Sequence, residues 1–194
     1  MRLPSIALVA VCALACSPPS ADLARDGLLK VEPTLPEKVV WDEPVEGAFS
    51  RVGPIFVSGQ PSEEALRRLA REGVTVVVNV RTSEEMADRE RVAFDEQALL
   101  AELGIDYEHI PLGGDEFPYT PEAVDAFAQA LARHEHGALL HCASGRRVSH
   151  LWTAYLVRYH GLSLEDAMAH GEVINLGTFP LDGLLGGIEY SLKN

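Results

Sequence analysis

The stretch Gly137-Ala138-Leu139-Leu140-His141-Cys142-Ala143-Ser144-Gly145-Arg146-Arg147-Val148-Ser149 joins two kinds of sequence through a short loop. Gly137 to His141 has the length and apolar content of a buried strand, which sets Cys142 at the strand's carboxyl end. Val148, Leu151, Trp152, Tyr155, Leu156 and Tyr159 then recur at helical spacing. The loop therefore feeds into the first turn of a helix, whose unpaired N–H groups point back toward Cys142.

That placement suits cysteine chemistry. Inward amides, the positive end of a helix dipole and a neighbouring guanidinium all favour thiolate over thiol. Gly145 lets the backbone turn and approach a bound oxyanion closely. Arg147 can clamp such an oxyanion with two parallel hydrogen bonds. The alternative for Cys142 is a buried core cysteine, for Arg146 a solvent-facing charge that steers anions, and for His141 a satisfied core histidine.

His141-Cys142-Ala143-Ser144-Gly145-Arg146-Arg147 resembles the phosphate-binding loop of the cysteine-dependent protein tyrosine and dual-specificity phosphatases. Those enzymes place five residues between cysteine and arginine, whereas Arg147 follows Cys142 after four, and Val148 stands at the later position. The hydroxyl residue is displaced as well, with Ser149 following Val148. The shorter spacing is similar to a bacterial phosphatase-like family, described variously as the beta-lactamase-hydrolase-like phosphatase domain, a domain fused to NAD kinase, or a sulfur transferase. The Val78-Asn79-Val80-Arg81 run resembles that family too. Rhodaneses, on another fold, also use a four-residue spacing.

The resemblance implies Cys142 as nucleophile and Arg147 as clamp. Ala143, Ser144, Gly145, Arg146 and Val148 would bind substrate, with His141, Ser149 and Arg81 in support. It also implies an aspartate acid on a loop after the preceding strand. Asp115, in Gly113-Gly114-Asp115-Glu116-Phe117-Pro118-Tyr119, is the candidate, with Glu116 in reserve; a solvated turn is the alternative. Arg81 shares the sheet end of Cys142 if the strands are parallel, or else is a surface residue pairing with Glu84 or Glu85.

Around this centre the chain alternates strand and helix patterns, which predicts an α/β fold with a central, mostly parallel sheet flanked by helices. The resemblance implies the protein tyrosine phosphatase-like version of it. Arg51 to Pro61 reads as a strand ending in a turn, Ser62 to Gly73 as a capped helix, and Val74 to Val80 as a doubly buried strand. Ser83 to Leu103 reads as one helix with its Glu and Arg outside, and Ile105 to Leu112 as a strand. Thr120 and Pro121 start a helix running to His134, and Ser163 starts another. Gly171 to Asn194, with Leu181, Leu184, Leu185 and Ile188, reads as a loop and short helix on the core.

Met1 to Ala15 reads as a secretory signal, with an apolar run too short to span a bilayer. Ala13-Leu14-Ala15-Cys16 resembles a lipoprotein signal, which implies lipid on Cys16 and a place in the bacterial envelope facing the periplasm. Ser17 after that cysteine resembles outer-membrane sorting. Residues 16–47 read as a proline-rich tether and 48–194 as the catalytic domain, with Val39-Val40-Trp41 apolar enough to pack on it. Removing the signal and lipidating Cys16 leaves Cys142 as an unpaired thiol.

A net charge of -13 argues against nucleic acid as a partner. The histidines lack metal-site spacing, so neither a metal nor another cofactor is expected. Three functions follow: a phosphatase working on phosphate monoesters, protein phosphotyrosine among them; a sulfurtransferase carrying a persulfide on Cys142 from a sulfane-sulfur donor; or a non-catalytic anion-binding lipoprotein.

Overall fold

Valine-rich and leucine-rich runs stack as strands because their side chains bury on alternate faces of one sheet. The computed structural model describes residues 34–134, 137–178 and 181–187. The signal segment, Cys16, the tether before residue 34 and Ile188 lie outside the described residues. Six strands, numbered in chain order, pair in the order β1 (Glu37–Lys38), β2 (Phe49–Val52), β3 (Ile55–Ser58), β6 (Gly137–His141), β4 (Val74–Asn79) and β5 (Asp106–His109). The last four in this order run parallel, and β1 and β2 add antiparallel strands at one edge.

Alternation divides the core into two layers. Ile55, Val57, Val76, Val78, Ala138 and Leu140 face α4 (Pro121–Ala132), α5 (Arg146–His160), α6 (Leu164–Ile174) and α7 (Leu181–Leu185). Phe56, Val77 and Leu139 face α1 (Glu63–Arg71) and α3 (Glu96–Leu103). The expected mostly parallel α/β sheet is thus observed. No helix among the described residues is long and apolar enough to cross a membrane.

Three local expectations change. Arg51 to Pro61 is not one strand: Gly53, at φ 55°, turns the chain so that β2 and β3 form a hairpin. The single helix expected over Ser83 to Leu103 is two, α2 (Ser83–Ala87) and α3, because Asp95 accepts a hydrogen bond from Ala98 N–H and starts a new helix. Thr120 precedes α4 as expected, yet its side chain makes no capping hydrogen bond. Ahead of β2, Trp41 packs edge-on against Phe49, with ring centroids 4.8 Å apart, and beneath the Arg68 guanidinium.

Candidate active site

Parallel pairing gathers the chemistry at one edge of the sheet. Ser58, His141 and Asn79 stand in register across β3, β6 and β4, so the residues that follow them, Gln60, Cys142 and Arg81, emerge together. Cys142 is buried and unpaired, and its N–H donates to the Ser58 carbonyl at 3.4 Å. Gly145 precedes α5 at φ 84°, and a Cβ there would lie 2.8 Å from the Ala48 Cβ. Both the turn and the close approach therefore require glycine.

Three of the five N–H groups of Arg147 are taken up. Its Nη1 donates to Glu85 Oε2 at 2.7 Å and to the Leu112 carbonyl at 2.8 Å, while Nη2 donates to Glu85 Oε1 at 2.7 Å. A guanidinium has about five N–H bonds in a planar fork. The head is thus held by Glu85, and the Nε and remaining Nη2 hydrogens, on one edge, have no partner among the described residues. That edge matches the bidentate geometry of an oxyanion. Burial works against Arg147's charge, but the hydrogen bonds to Glu85 and the electrostatic influence of neighbouring Cys142 outweigh it and hold its pKa above the ordinary value. The Glu85 carboxyl is pushed up by burial and pulled down further by Arg147, the Thr82 N–H and Arg81, to about 2.

On the other face of the sheet, a buried polar chain underlies the loop. His141 Nε2 donates to Glu96 Oε1 at 3.0 Å, and a carboxylate accepts only, so Nε2 carries the proton. Asn79 Nδ2 also donates to Glu96 Oε1, at 3.0 Å, and Gln60 Nε2 donates to Glu96 Oε2 at 2.7 Å. Arg81 Nη1 donates to Gln60 Oε1 at 2.8 Å, and Arg81 Nε lies 3.7 Å from Glu85 Oε1. Burial pushes the Glu96 carboxyl up, but His141, Gln60 and Asn79 hold it below its usual range.

An open cavity of about 560 Å³ lies over the loop, lined in part by Ala143, Ser144, Arg146, Arg147, Glu85 and Tyr119. Of the residues expected to bind substrate, Ala143, Ser144 and Arg146 line it, while Gly145 and Val148 are buried. Ser149 donates through Oγ to the Arg146 carbonyl at 2.7 Å and so fastens the first turn of α5. Arg81 is not at the surface but 2 % exposed, beneath the site, and of the two partners expected for it the one it meets is Glu85. Asp115 is exposed at the tip of a tight turn closed by a Gly113 N–H to Phe117 carbonyl bond of 2.8 Å. The base of that turn, Gly113 and Gly114, lines the cavity, and Asp115 does not. Tyr119, also lining it, keeps its proton to higher pH than usual because it is buried, although Arg147 pulls the other way.

Glu96, Gln60 and Tyr119 belong to the candidate site without having been expected there, and Glu85 was expected only as a surface partner of Arg81. The sequence signal that places the Glu85 carboxylate is Thr82 three residues before it, a capping-box spacing.

Residues 51–156 match the family described as the phosphatase-like domain of beta-lactamase hydrolase-like proteins. The chain belongs to that family. Beta-lactamase hydrolase-like proteins of Xylella fastidiosa, strains Temecula1 and 9a5c, are 28 % identical over 125 residues, covering 63 % of this chain and 28 % of theirs. The chain thus spans well under half the length of these relatives.

Among solved structures, PTPMT1 in complex with PI(5)P is similar at TM-score 0.59 and 18 % identity, covering 71 % of this chain and 92 % of that one. A candidate phosphatase from Shewanella putrefaciens CN-32 is similar at TM-score 0.57 and 25 % identity, covering 73 % and 90 %. TpbA from P. aeruginosa follows at TM-score 0.51 and 19 % identity, covering 79 % and 96 %. The fold is that of the protein tyrosine phosphatase-like proteins.

Proposed function

We propose that the protein hydrolyses phosphate monoesters through a phosphocysteine on Cys142. The observation that carries this is Arg147: anchored by Glu85 and the Leu112 carbonyl, it keeps its Nε/Nη2 edge for an oxyanion beside Cys142. The Cys142 thiolate attacks phosphorus, an Sγ–P bond forms as the P–O bond breaks, and the leaving oxygen takes a proton. Arg147 and the loop amides stabilise the equatorial oxygens. Water then attacks phosphorus, the Sγ–P bond breaks, and thiolate and inorganic phosphate are released.

Glu85 cannot supply the proton at neutral pH, since its carboxyl is held down to about 2. Asp115, one residue beyond cavity-lining Gly114, is the carboxylate we assign to that step. A phosphate ester as substrate agrees with the family and with the phosphatase-like neighbours. A lipid on Cys16 and a periplasm-facing, outer-membrane location belong to the same proposal and rest on the sequence pattern of residues 1–17.

The short spacing from Cys142 to Arg147 favours a second reading. Here the thiolate takes the outer sulfur of thiosulfate, releases sulfite, and passes the persulfide sulfur to a nucleophile such as cyanide. This route needs no acid, consistent with Asp115 standing outside the cavity lining.

Parallel assays of aryl-phosphate hydrolysis and thiosulfate-to-cyanide transfer, with Cys142→Ser as control, separate the two. Hydrolysis that disappears in Cys142→Ser is expected. Sulfur transfer without hydrolysis would overturn the hydrolytic reading.

A further inference from the structure

The buried chain from His141 to Arg147 has a direction. Glu96 is an acceptor only and Arg81 a donor only, so the Gln60 amide between them can sit one way round. Its Nε2 must face Glu96 Oε2, at 2.7 Å, and its Oε1 must face Arg81 Nη1, at 2.8 Å. At one end Glu96 holds His141, the residue before the nucleophile. At the other, Arg81 lies against Glu85, which grips Arg147 by both Nη atoms. Each end of the Cys142–Arg147 loop is therefore tied to one buried carboxylate, through contacts from β6, α2, α3 and the segments that follow β3 and β4.

We propose that Glu96 is a positioning residue for the anion site: its negative charge fixes the polarity of the Gln60 amide, and that polarity holds Arg81 and Glu85 so that Arg147 presents its free edge. The inference rests on the reading of that edge as an oxyanion clamp. Burial supports it. Glu96 and Arg81 are each 2 % exposed and Gln60 is 5 % exposed, so water cannot replace a lost partner cheaply. A charged carboxylate in such a place is costly unless fully paired, and Glu96 accepts hydrogen bonds from three side chains.

The decisive variant is Glu96→Gln, which keeps shape and volume. If the new amide turns its oxygen to His141 and Asn79, its NH₂ faces Gln60, which must flip and present Nε2 to Arg81, donor against donor. If it turns the other way, the NH₂ meets the Asn79 NH₂, donor against donor, and His141 must move its proton to Nδ1, which is buried without a partner. Either orientation breaks one arm of the chain. A residue that merely filled space would tolerate the swap.

The experiment is alkylation of Cys142 by iodoacetamide in the full-length protein in detergent, titrated with inorganic phosphate as a protecting anion, with melting midpoints recorded. The wild type should be protected. Half-protection in Glu96→Gln and in Gln60→Leu should need roughly three- to tenfold more phosphate, the scale of one ordinary net hydrogen bond, since the lost contact acts on Arg147 only through its neighbours. Both variants should remain folded at the assay temperature, and should Glu96→Gln unfold, Gln60→Leu carries the same test. Wild-type-like half-protection in the folded variants would overturn the positioning role while leaving the hydrolytic reading intact. A wild type that phosphate does not protect would overturn both, because the site would then hold no oxyanion.

Discussion

At the scale of single residues, the site turns on how Arg147 divides its donors. Three N–H groups are committed to Glu85 and the Leu112 carbonyl, and two, on one edge, have no partner among the described residues. A lysine has a single charged nitrogen and cannot hold Glu85 and grip an oxyanion with a planar fork at once. Arg147→Lys is therefore expected to lower kcat/KM for an aryl phosphate by roughly 10²–10³, the usual cost of losing a preorganised oxyanion donor. Steady-state kinetics checks this, and a loss under tenfold would mean that the loop amides carry the anion alone. That Cys142 and Arg147 share one loop was legible in the sequence, because thiol, glycine and guanidinium lie within six residues of chain. The partners of Arg147 were not, since Glu85 and Leu112 come from distant segments that only parallel pairing brings together. Only chain order singles out Asp115 in the sequence, and chain order does not report where a turn points.

At the scale of elements, the short helix α2 becomes a platform for the arginine. Thr82 Oγ1 accepts from Glu85 N–H, and Glu85 Oε2 accepts from Thr82 N–H, so the carboxylate is fixed before it meets Arg147. The carboxyl titrates at about 2 in the fold against an ordinary 4.5. A depressed carboxylate contributes stability that is complete above the unfolded value and disappears as pH falls through the folded one. The urea midpoint of wild type should thus exceed that of Glu85→Gln by a constant margin above about pH 5. The margin should shrink as pH drops from 4.5 toward 2. The full shift would correspond to roughly 3 kcal/mol, and because the pair is partly solvated the margin should be clearly smaller. A pH-independent difference would show that hydrogen-bond geometry, rather than charge, is what Glu85 supplies. Reading Ser83 to Leu103 as one helix hid this element, because acidic residues that look solvent-facing in a periodic pattern include Glu85 and the fully enclosed Glu96. The sheet itself was legible, since β-branched runs such as Val74 to Val78 have few alternatives to burial.

At the scale of the whole molecule, the folding unit is larger than the segment that marks the family. The match covers residues 51–156, yet the loop is braced from both sides of it. Ala48 N–H donates to the Ser144 carbonyl at 3.2 Å, and Asn175 Nδ2 donates to the same oxygen at 2.9 Å. Ala167, Ile174, Leu184 and Leu185, also outside the match, belong to the same core as Trp152 and Tyr155. Burying each large aliphatic side chain is worth about 1.5–3 kcal/mol, so losing Ile174, Leu184 and Leu185 removes on the order of 5–9 kcal/mol. That is comparable with the whole stability of an ordinary domain, about 5–15 kcal/mol. A fragment of residues 51–156 should therefore bind the apolar dye ANS and melt without a cooperative transition, while a fragment of residues 34–187 should melt cooperatively, as differential scanning calorimetry would record. Cooperative melting of the shorter fragment would mean that α6, α7 and the segment before β2 decorate the core rather than complete it. The loop would then owe its shape to β3, β6 and α5 alone.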